Sequence, residues 1–179
     1  MNSDRLVLGG HSFIEQLGND PALDGAGQVR LVEACLDHGI RWFDTTYQPE
    51  RVVLGRALKS LGRRDEATVI AWNFFKDFGP GEDVGGPEAY RPGHIDLMLD
   101  QLQTDHIDCL LVHPVRETDE NLRQEEAALG WQRQGLLKRL GMWRLGPDEL
   151  AQRTGPSPYD FMIHPCNAAC GPDTAKSLS

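Results

Sequence analysis

The chain has 179 residues, the size of one domain, and its 40% hydrophobic and 25% charged residues are typical of a protein with a buried core. A formal net charge of -9 repels a phosphate backbone, so we expect no nucleic-acid partner. The longest apolar runs, such as residues 109–112, are far shorter than the roughly 20 residues that span a bilayer. The first residues lack the apolar core of a secretory signal, so a cytoplasmic protein outside the membrane is expected.

Short apolar runs alternate with amphipathic helical stretches along the chain, which predicts the α/β class. The six predicted strands are residues 6–8, 40–44, 68–72, 107–113, 137–142 and 161–164. The predicted helices are residues 28–38, Pro49 to Gly62, 92–103 and 119–134, followed by a short fifth helix after Pro147. Gly39 and Gly62 are expected to end the first two helices. Composition does not divide the chain, so residues 1–179 are predicted to form a single domain.

The connections between these strands favour a barrel. Strand–helix–strand units are right-handed and build either an open sheet or a closed barrel. The segment Gly9-Gly10-His11-Ser12 lacks the G-x-G-x-x-G pattern that follows the first strand of dinucleotide-binding open sheets. A closed eight-stranded barrel usually needs about 250 residues. We therefore predict an incomplete TIM-type (β/α) barrel with six repeats, which lacks the last two.

Such a barrel leaves the edges of its first and sixth strands exposed. Exposed strand edges pair with another chain or require covering. We therefore expect a homodimer through these edges, since symmetric association is the commonest solution. The alternatives are that the C-terminal segment folds across the gap, or that the chain is a fragment.

Polar and aromatic side chains stand at the ends of the predicted strands, where a β/α barrel builds its active site. Asp44, Tyr47 and His113 make an acid–base set, in which a phenol donates a proton, an imidazole orients or shares it and a carboxylate holds the arrangement. In the alternative interpretation, Asp44 caps a turn, Tyr47 is a packed aromatic residue and His113 is a satisfied buried histidine. Residues 77–91 form a long loop rich in Gly and Pro, which is a candidate lid.

One group of residues near the end of the chain suggests a metal. His164, Cys166 and Cys170 supply fewer than the four ligands of a structural zinc site, and no second pair is visible. We therefore predict no metal.

Four segments resemble the aldo-keto reductase family, in the family's order and spacing over nearly the whole chain. They are residues 39–46, residues 47–50 leading to 54–58, residues 102–113 and residues 135–141. The resemblance implies a TIM-type barrel whose members use NADPH to reduce carbonyl groups. It also implies that the family's catalytic Asp, Tyr, Lys and His correspond to Asp44, Tyr47, Asn73 and His113.

The chain departs from this family at several of these positions. Asn73 stands where the family has Lys, and a neutral side chain supplies no positive charge to strengthen Tyr47 as an acid. Lys76 is the candidate replacement. The spacing from Asp44 to Tyr47 is about two residues shorter than usual. Trp143 and Arg144 stand where the family has a Ser-Asn pair that holds the nicotinamide amide, and the seventh and eighth strands, whose loops grip the NADPH phosphates, are absent.

Three hypotheses for function remain at this point. In the first, Asp44, Tyr47 and His113 transfer protons in a dehydration, elimination or isomerisation of a small carbonyl- or hydroxyl-bearing metabolite, without any cofactor. In the second, the protein is an NADPH-dependent reductase in which Lys76 replaces the missing Lys, and Arg144, Arg139 or a partner subunit contacts the phosphates. In the third, it is a non-catalytic binding or assembly protein. The residues expected to line the substrate site share a place at the strand ends: Trp72, Phe74, Trp143 and His164.

Overall fold

The computed structural model describes residues 6–15, 23–79, 81–143 and 157–163. The strands are β1 (Val7–Gly9), β2 (Trp42–Thr45), β3 (Thr68–Trp72), β4 (Ile107–Val112), β5 (Leu137–Trp143) and β6 (Phe161–Ile163). The α-helices are α1 (Gly25–Asp37), α2 (Gln48–Leu61), α3 (His94–Leu102) and α4 (Thr118–Arg133). Short 3₁₀ turns follow β1 at Gly10–Phe13 and precede β3 at Arg64–Glu66. The predicted helix after Pro147 lies outside the described residues.

The six strands form a single parallel sheet in the order β1-β2-β3-β4-β5-β6. Each pair of sequence neighbours is adjacent in the sheet, which is the arrangement that repeated right-handed β/α units produce. The prediction of an incomplete TIM-type barrel is confirmed, because the strands and alternating helices build a half-barrel. The homodimer through its edge strands stays a prediction.

The first two helices end at the glycines predicted from the sequence. The α1 helix starts after Asp24, whose side chain accepts a hydrogen bond from the backbone N–H of Gly27 at 2.6 Å. It is followed by Gly39 at φ 79°, and α2 ends on Gly62 at φ 66°. Both angles lie in the left-handed region that favours glycine, so each residue turns the chain toward the next strand.

Two apolar layers lie on opposite faces of the sheet. Alternate strand positions face the helices, and the layer on that side contains Phe43, Val69, Ala71, Leu110, Val112 and Leu140 from strands with Val32, Leu36, Leu54, Leu58, Met98, Leu102, Ala128 and Trp131 from helices. The intervening positions form the inner face of the half-barrel, and its apolar residues are Trp42, Ile70, Trp72, Phe74, Cys109, Leu111, Trp143, Phe161 and Ile163. The inner face is thus dominated by aromatic side chains.

Helices α2 and α3 pack closely at a glycine. A Cβ placed on Gly55 would lie 2.3 Å from the carbonyl oxygen of Gln101 and 2.6 Å from the Cα of Leu102. These are backbone atoms, so no side-chain movement relieves the overlap. Among the described residues, no helix has the length and apolar character needed to cross a membrane.

Candidate active site

Four side chains meet at the carboxyl ends of neighbouring strands. Asp44 lies in β2, Trp72 ends β3, His113 follows β4 and Trp143 ends β5. The ring centroid of Trp72 lies 5.3 Å from that of Trp143 and 6.5 Å from that of His113. The structure therefore brings together, at the mouth of the half-barrel, four of the residues that the sequence predicts for the site.

Asp44 accepts a hydrogen bond from the Trp72 indole, with 2.6 Å between Nε1 and Oδ1. The pKa of Asp44 is raised from 3.8 to about 6, mainly by burial and also by the charge of Glu50. The Trp72 hydrogen bond and the charge of His11 act in the opposite direction. Asp44 therefore changes its charge close to neutral pH, where an acid–base group is most effective.

Tyr47 directly precedes α2, and its ring lies among aromatic neighbours. The centroid distances are 5.3 Å to Phe74, 5.5 Å to Phe78 and 5.6 Å to His11. Burial raises the pKa of the phenol, and the charges of Glu50 and Asp83 add to this effect. Tyr47 is half-buried in the mouth and, in this field of carboxylates, a weak acid.

His113 packs its ring against the same aromatic cluster. It is nearly parallel to Trp143, at 17° and 6.0 Å between centroids, and meets Phe74 edge to face at 5.7 Å. Nδ1 lies 3.0 Å from the carbonyl oxygen of Pro114. Since a carbonyl only accepts, Nδ1 carries the proton, and in the neutral ring Nε2 is a hydrogen-bond acceptor.

Asn73, which corresponds to the family's Lys in the sequence, is fully buried and turned away from Asp44 by the alternation of the strand. Its Nδ2 donates to the carbonyl oxygens of Glu88 at 2.9 Å and His113 at 2.8 Å, and its Oδ1 accepts from the His113 N–H at 2.8 Å. The amide is occupied in holding the end of β4. A catalytic role for Asn73 stays a prediction, which these contacts do not support.

Lys76, the candidate replacement for that Lys, lies in the loop after β3. Its Nζ donates to the backbone oxygen of Asp83 at 2.7 Å and to the Asp83 carboxylate at 3.0 Å. The side chain is 43% exposed. In this structure the charge of Lys76 is paired within the candidate lid, and its catalytic role also stays a prediction.

The loop after β3 is fastened to the barrel by buried aromatic side chains. Tyr90 is buried and donates its hydroxyl to the carbonyl oxygen of Leu111 at 2.8 Å. Phe78 is buried as well and contacts Tyr47. The loop therefore contributes to the wall of the site, and its movement as a lid stays a prediction.

Two functional candidates were missed from the sequence, His11 and Glu50. His11 follows β1 and Glu50 lies in the first turn of α2, with 2.8 Å between Nδ1 and Oε1. Glu50 is fully buried, and its Oε2 accepts the backbone N–H of Tyr47 at 3.1 Å. The available signal was a histidine just after the first strand, since that position falls on the same edge of the sheet as the other strand ends.

Arg51 was also missed, and it ties the loops of the site together. It is fully buried and donates to the carbonyl oxygens of Thr46 at 3.2 Å, Trp72 at 3.2 Å and Phe74 at 2.8 Å. Burial lowers the pKa of its guanidinium to about 10, so it remains charged at neutral pH. Arg51 thereby connects the ends of β2 and β3.

Two predicted site residues, His164 and Arg144, lie outside the described residues. Within the described part of the chain, no group of three or more His, Cys, Asp or Glu side chains is arranged to hold a metal ion. The candidate site thus consists of aromatic rings, two imidazoles and the carboxylates of Asp44 and Glu50, beside the carboxyl ends of parallel strands. A half-barrel with such a mouth belongs to the class of (β/α) barrel enzymes.

Comparison with known proteins identifies the family within that class. Residues 5–152 match the sequence profile of the Aldo/keto reductase family, and the chain belongs to this family. Comparison with curated protein sequences gives no match.

The fold is shared with solved structures of the same family. Aldo-keto reductase AKR11C1 from Bacillus halodurans, in its holo form, is 23% identical with a TM-score of 0.64, over 82% of this chain and 48% of that one. A Pseudomonas aeruginosa protein assigned as an aldo-keto reductase is 22% identical with a TM-score of 0.62, over 82% and 58%. A protein assigned as a 2,5-diketo-D-gluconic acid reductase B is 18% identical with a TM-score of 0.59, over 82% and 46%. The chain therefore spans about half the length of these structures.

The family corrects one expectation from the sequence. Aldo-keto reductases use NADP(H), and the Bacillus halodurans structure is a holo form, so the prediction that no cofactor takes part is wrong. The family and fold support an enzyme of the oxidoreductase class and lend no support to the lyase or isomerase interpretation. The prediction failed because it gave the altered strand ends more weight than the matching segments.

The described residues fit the nicotinamide end of NADP(H). Trp72 and Trp143 present flat indole rings at the mouth beside the acid–base groups, and Trp143 is only partly buried. A nicotinamide ring stacks on surfaces of this kind. The residue predicted to contact the phosphates, Arg144, lies outside the described residues.

Proposed function

We propose that the protein reduces a carbonyl group of a small metabolite with NADPH as the hydride donor. The observation that supports this most directly is the placement of Asp44, Tyr47 and His113 around the rings of Trp72 and Phe74, at the mouth of a barrel of this family. Carbonyl reduction needs a proton for the oxygen, and the phenol of Tyr47 offers it within an aromatic surrounding.

In this proposal Tyr47 donates its proton to the carbonyl oxygen. Bound NADPH would supply the hydride, with its nicotinamide ring held against Trp143. His113, whose Nδ1 is committed to Pro114, would accept a hydrogen bond from the alcohol hydroxyl through Nε2. Asp44, fixed by the Trp72 indole, would hold the polar side of the site in place.

The side chains around the site indicate the type of substrate. Trp72, Phe74 and Trp143 form an apolar wall next to His113. Rings in this arrangement favour the apolar or planar part of a ligand, while the phenol and imidazole orient its oxygen. We therefore propose aromatic or medium-length aliphatic aldehydes and ketones as substrates.

The test combines cofactor binding with turnover. NADPH is titrated into the purified chain while the fluorescence of its four tryptophans is followed, and aldehyde reduction is then assayed at saturating cofactor. Tyr47→Phe is expected to lower kcat by about 10²–10⁴-fold, the usual contribution of a positioned acid, and to leave NADPH binding intact.

Tyr159→Phe is the matched control, because its phenol bonds to Glu125 on α4 and should not affect turnover. Absence of NADPH binding at millimolar concentration would contradict the proposal. Wild-type turnover in Tyr47→Phe would contradict the role of the phenol.

A further inference from the structure

A histidine and a buried glutamate form a pair beside Tyr47. His11 lies in the 3₁₀ turn after β1, and its Nδ1 is 2.8 Å from Oε1 of Glu50. Oε2 of the same carboxylate accepts the backbone N–H of Tyr47 at 3.1 Å. One fully buried carboxylate thus connects the imidazole to the residue that carries the phenol.

The imidazole packs against the phenol ring and is partly exposed to solvent. The two ring centroids are 5.6 Å apart with 33° between the planes. The side chain of His11 is 43% exposed, whereas that of Glu50 is fully buried. His11 can therefore exchange protons with solvent while Glu50 holds its orientation.

The backbone before His11 leaves space for this pair. A Cβ on Gly10 would lie 2.6 Å from Oε2 of Glu50 and 2.7 Å from the carbonyl oxygen of Asp44. Only glycine allows the turn to come this close to the carboxylate. The contact between the turn and α2 therefore depends on the Gly10-His11 sequence.

The charges around Tyr47 show what the pair can do. Asp44 in β2 and Glu50 in α2 are the carboxylates that face His11, whereas Glu50 and Asp83, in the loop after β3, raise the pKa of the phenol. The hydrogen bond to Glu50 raises the pKa of His11, burial lowers it, and the charges of Glu50 and Asp44 raise it further. Because the pKa is raised, the imidazole is positive at lower pH and loses its charge as the pH rises through that value.

We propose that His11 is a positioning residue that supplies positive charge beside Tyr47. Its charge offsets that of Glu50 and strengthens the phenol as a proton donor to the bound carbonyl substrate. This role rests on the proposed function. Lys76, the candidate replacement for the family's Lys, is paired with Asp83, and Asn73, at the position of that Lys, is neutral and bonded to the end of β4.

Two substitutions separate the charge of His11 from its shape. His11→Gln keeps a hydrogen bond to Glu50 without charge, and His11→Lys keeps a charge that does not titrate near neutral pH. The wild-type kcat for aldehyde reduction should fall as the pH rises through the pKa of His11. His11→Gln should lower kcat at pH 6 by about tenfold or more, the effect of one nearby charge on the acidity of a neighbour, with little change in KM.

His11→Lys should restore kcat and remove its decline as the pH rises. His38→Gln is the matched control, since His38 caps α1 through the carbonyl oxygen of Ala34, and its pH profile should match the wild type. Equal profiles for wild type and His11→Gln would overturn the proposal, and so would failure of His11→Lys to rescue.

A measurement without turnover separates this role from the proposed function. The chain has six histidines, and the NMR signal of His11 is identified by its loss in His11→Gln. Its pKa should exceed 6.5 in the wild type and fall in Glu50→Gln. A value at or below 6.5 would overturn the proposal, whether or not the protein reduces carbonyls.

If the folded wild type reduces no aldehyde or ketone, the proposed function fails and the effect of the charge is measured on the phenol itself. His11→Arg, which remains charged at pH 10, should then lower the pKa of Tyr47 relative to His11→Gln. An unchanged Tyr47 pKa would overturn the proposal.

Discussion

Asp44→Asn should make the protein more stable at neutral pH while damaging its site. The pKa of Asp44 is about 6 in the folded chain and 3.8 when the group is unperturbed. The folded state therefore binds the proton more tightly, and ionisation of Asp44 lowers the free energy of unfolding as the pH rises from about 4 to 6. Two pKa units correspond to about 3 kcal/mol at pH 7, and this difference falls to about 0.6 kcal/mol at pH 4.

Asparagine keeps the oxygen that accepts the Trp72 hydrogen bond and removes the charge that burial opposes. Urea unfolding followed by tryptophan fluorescence at pH 4, 5, 6 and 7 measures the gain. Asp77→Asn, a change of an exposed aspartate in the loop after β3, is the control, and its effect should not follow this curve. A difference between Asp44→Asn and the wild type that stays constant from pH 4 to pH 7 would refute the reasoning.

Three further changes test the packing. Gly55→Ala should lower the free energy of unfolding by about 1–3 kcal/mol or more because its Cβ meets the backbone of α3, whereas Gly130→Ala in α4 should not. Gly141→Ala, whose Cβ would lie 2.4 Å from the ring of Phe161, should cost less in the same urea assay, since a side chain can turn aside. Asn73→Ala should cost about 2 kcal/mol or more by leaving buried backbone groups unpaired, and hydrogen exchange should quicken at the end of β4.

The repeat pattern was sufficient to predict the sheet and its six strands. Runs of buried residues such as 107–112 and 68–72 have the apolar character of strands covered on both faces. The same alternation could have predicted that Trp72, and not Asn73, faces Asp44. Register partners share a face of the sheet, and Asp44 pairs with Ile70, two residues before Trp72. The position in the family motif, by contrast, indicates Asn73.

The charges of the site could not be predicted in this way. His11 follows a strand end, but Glu50 is 39 residues away within the pattern of α2, so periodicity does not indicate that the two side chains meet. As a charged residue in α2, Arg51 is expected to be exposed. It is instead fully buried, because three backbone carbonyls and Gln101 accept hydrogen bonds from its guanidinium. Such groups become visible only when the loops after β2 and β3 are placed in space.

The side chain that faces Asp44 from the end of β3 connects these observations. A neutral indole donor, that of Trp72, binds the carboxylate of Asp44, so burial still raises the pKa of Asp44 to about 6. A cation in that place would hold the carboxylate ionised at neutral pH. The mouth therefore contains two groups whose pKa values are raised, Asp44 and His11, and the buried carboxylate of Glu50 interacts with both of them and with Tyr47. The acidity of the phenol should accordingly depend on pH through its neighbours.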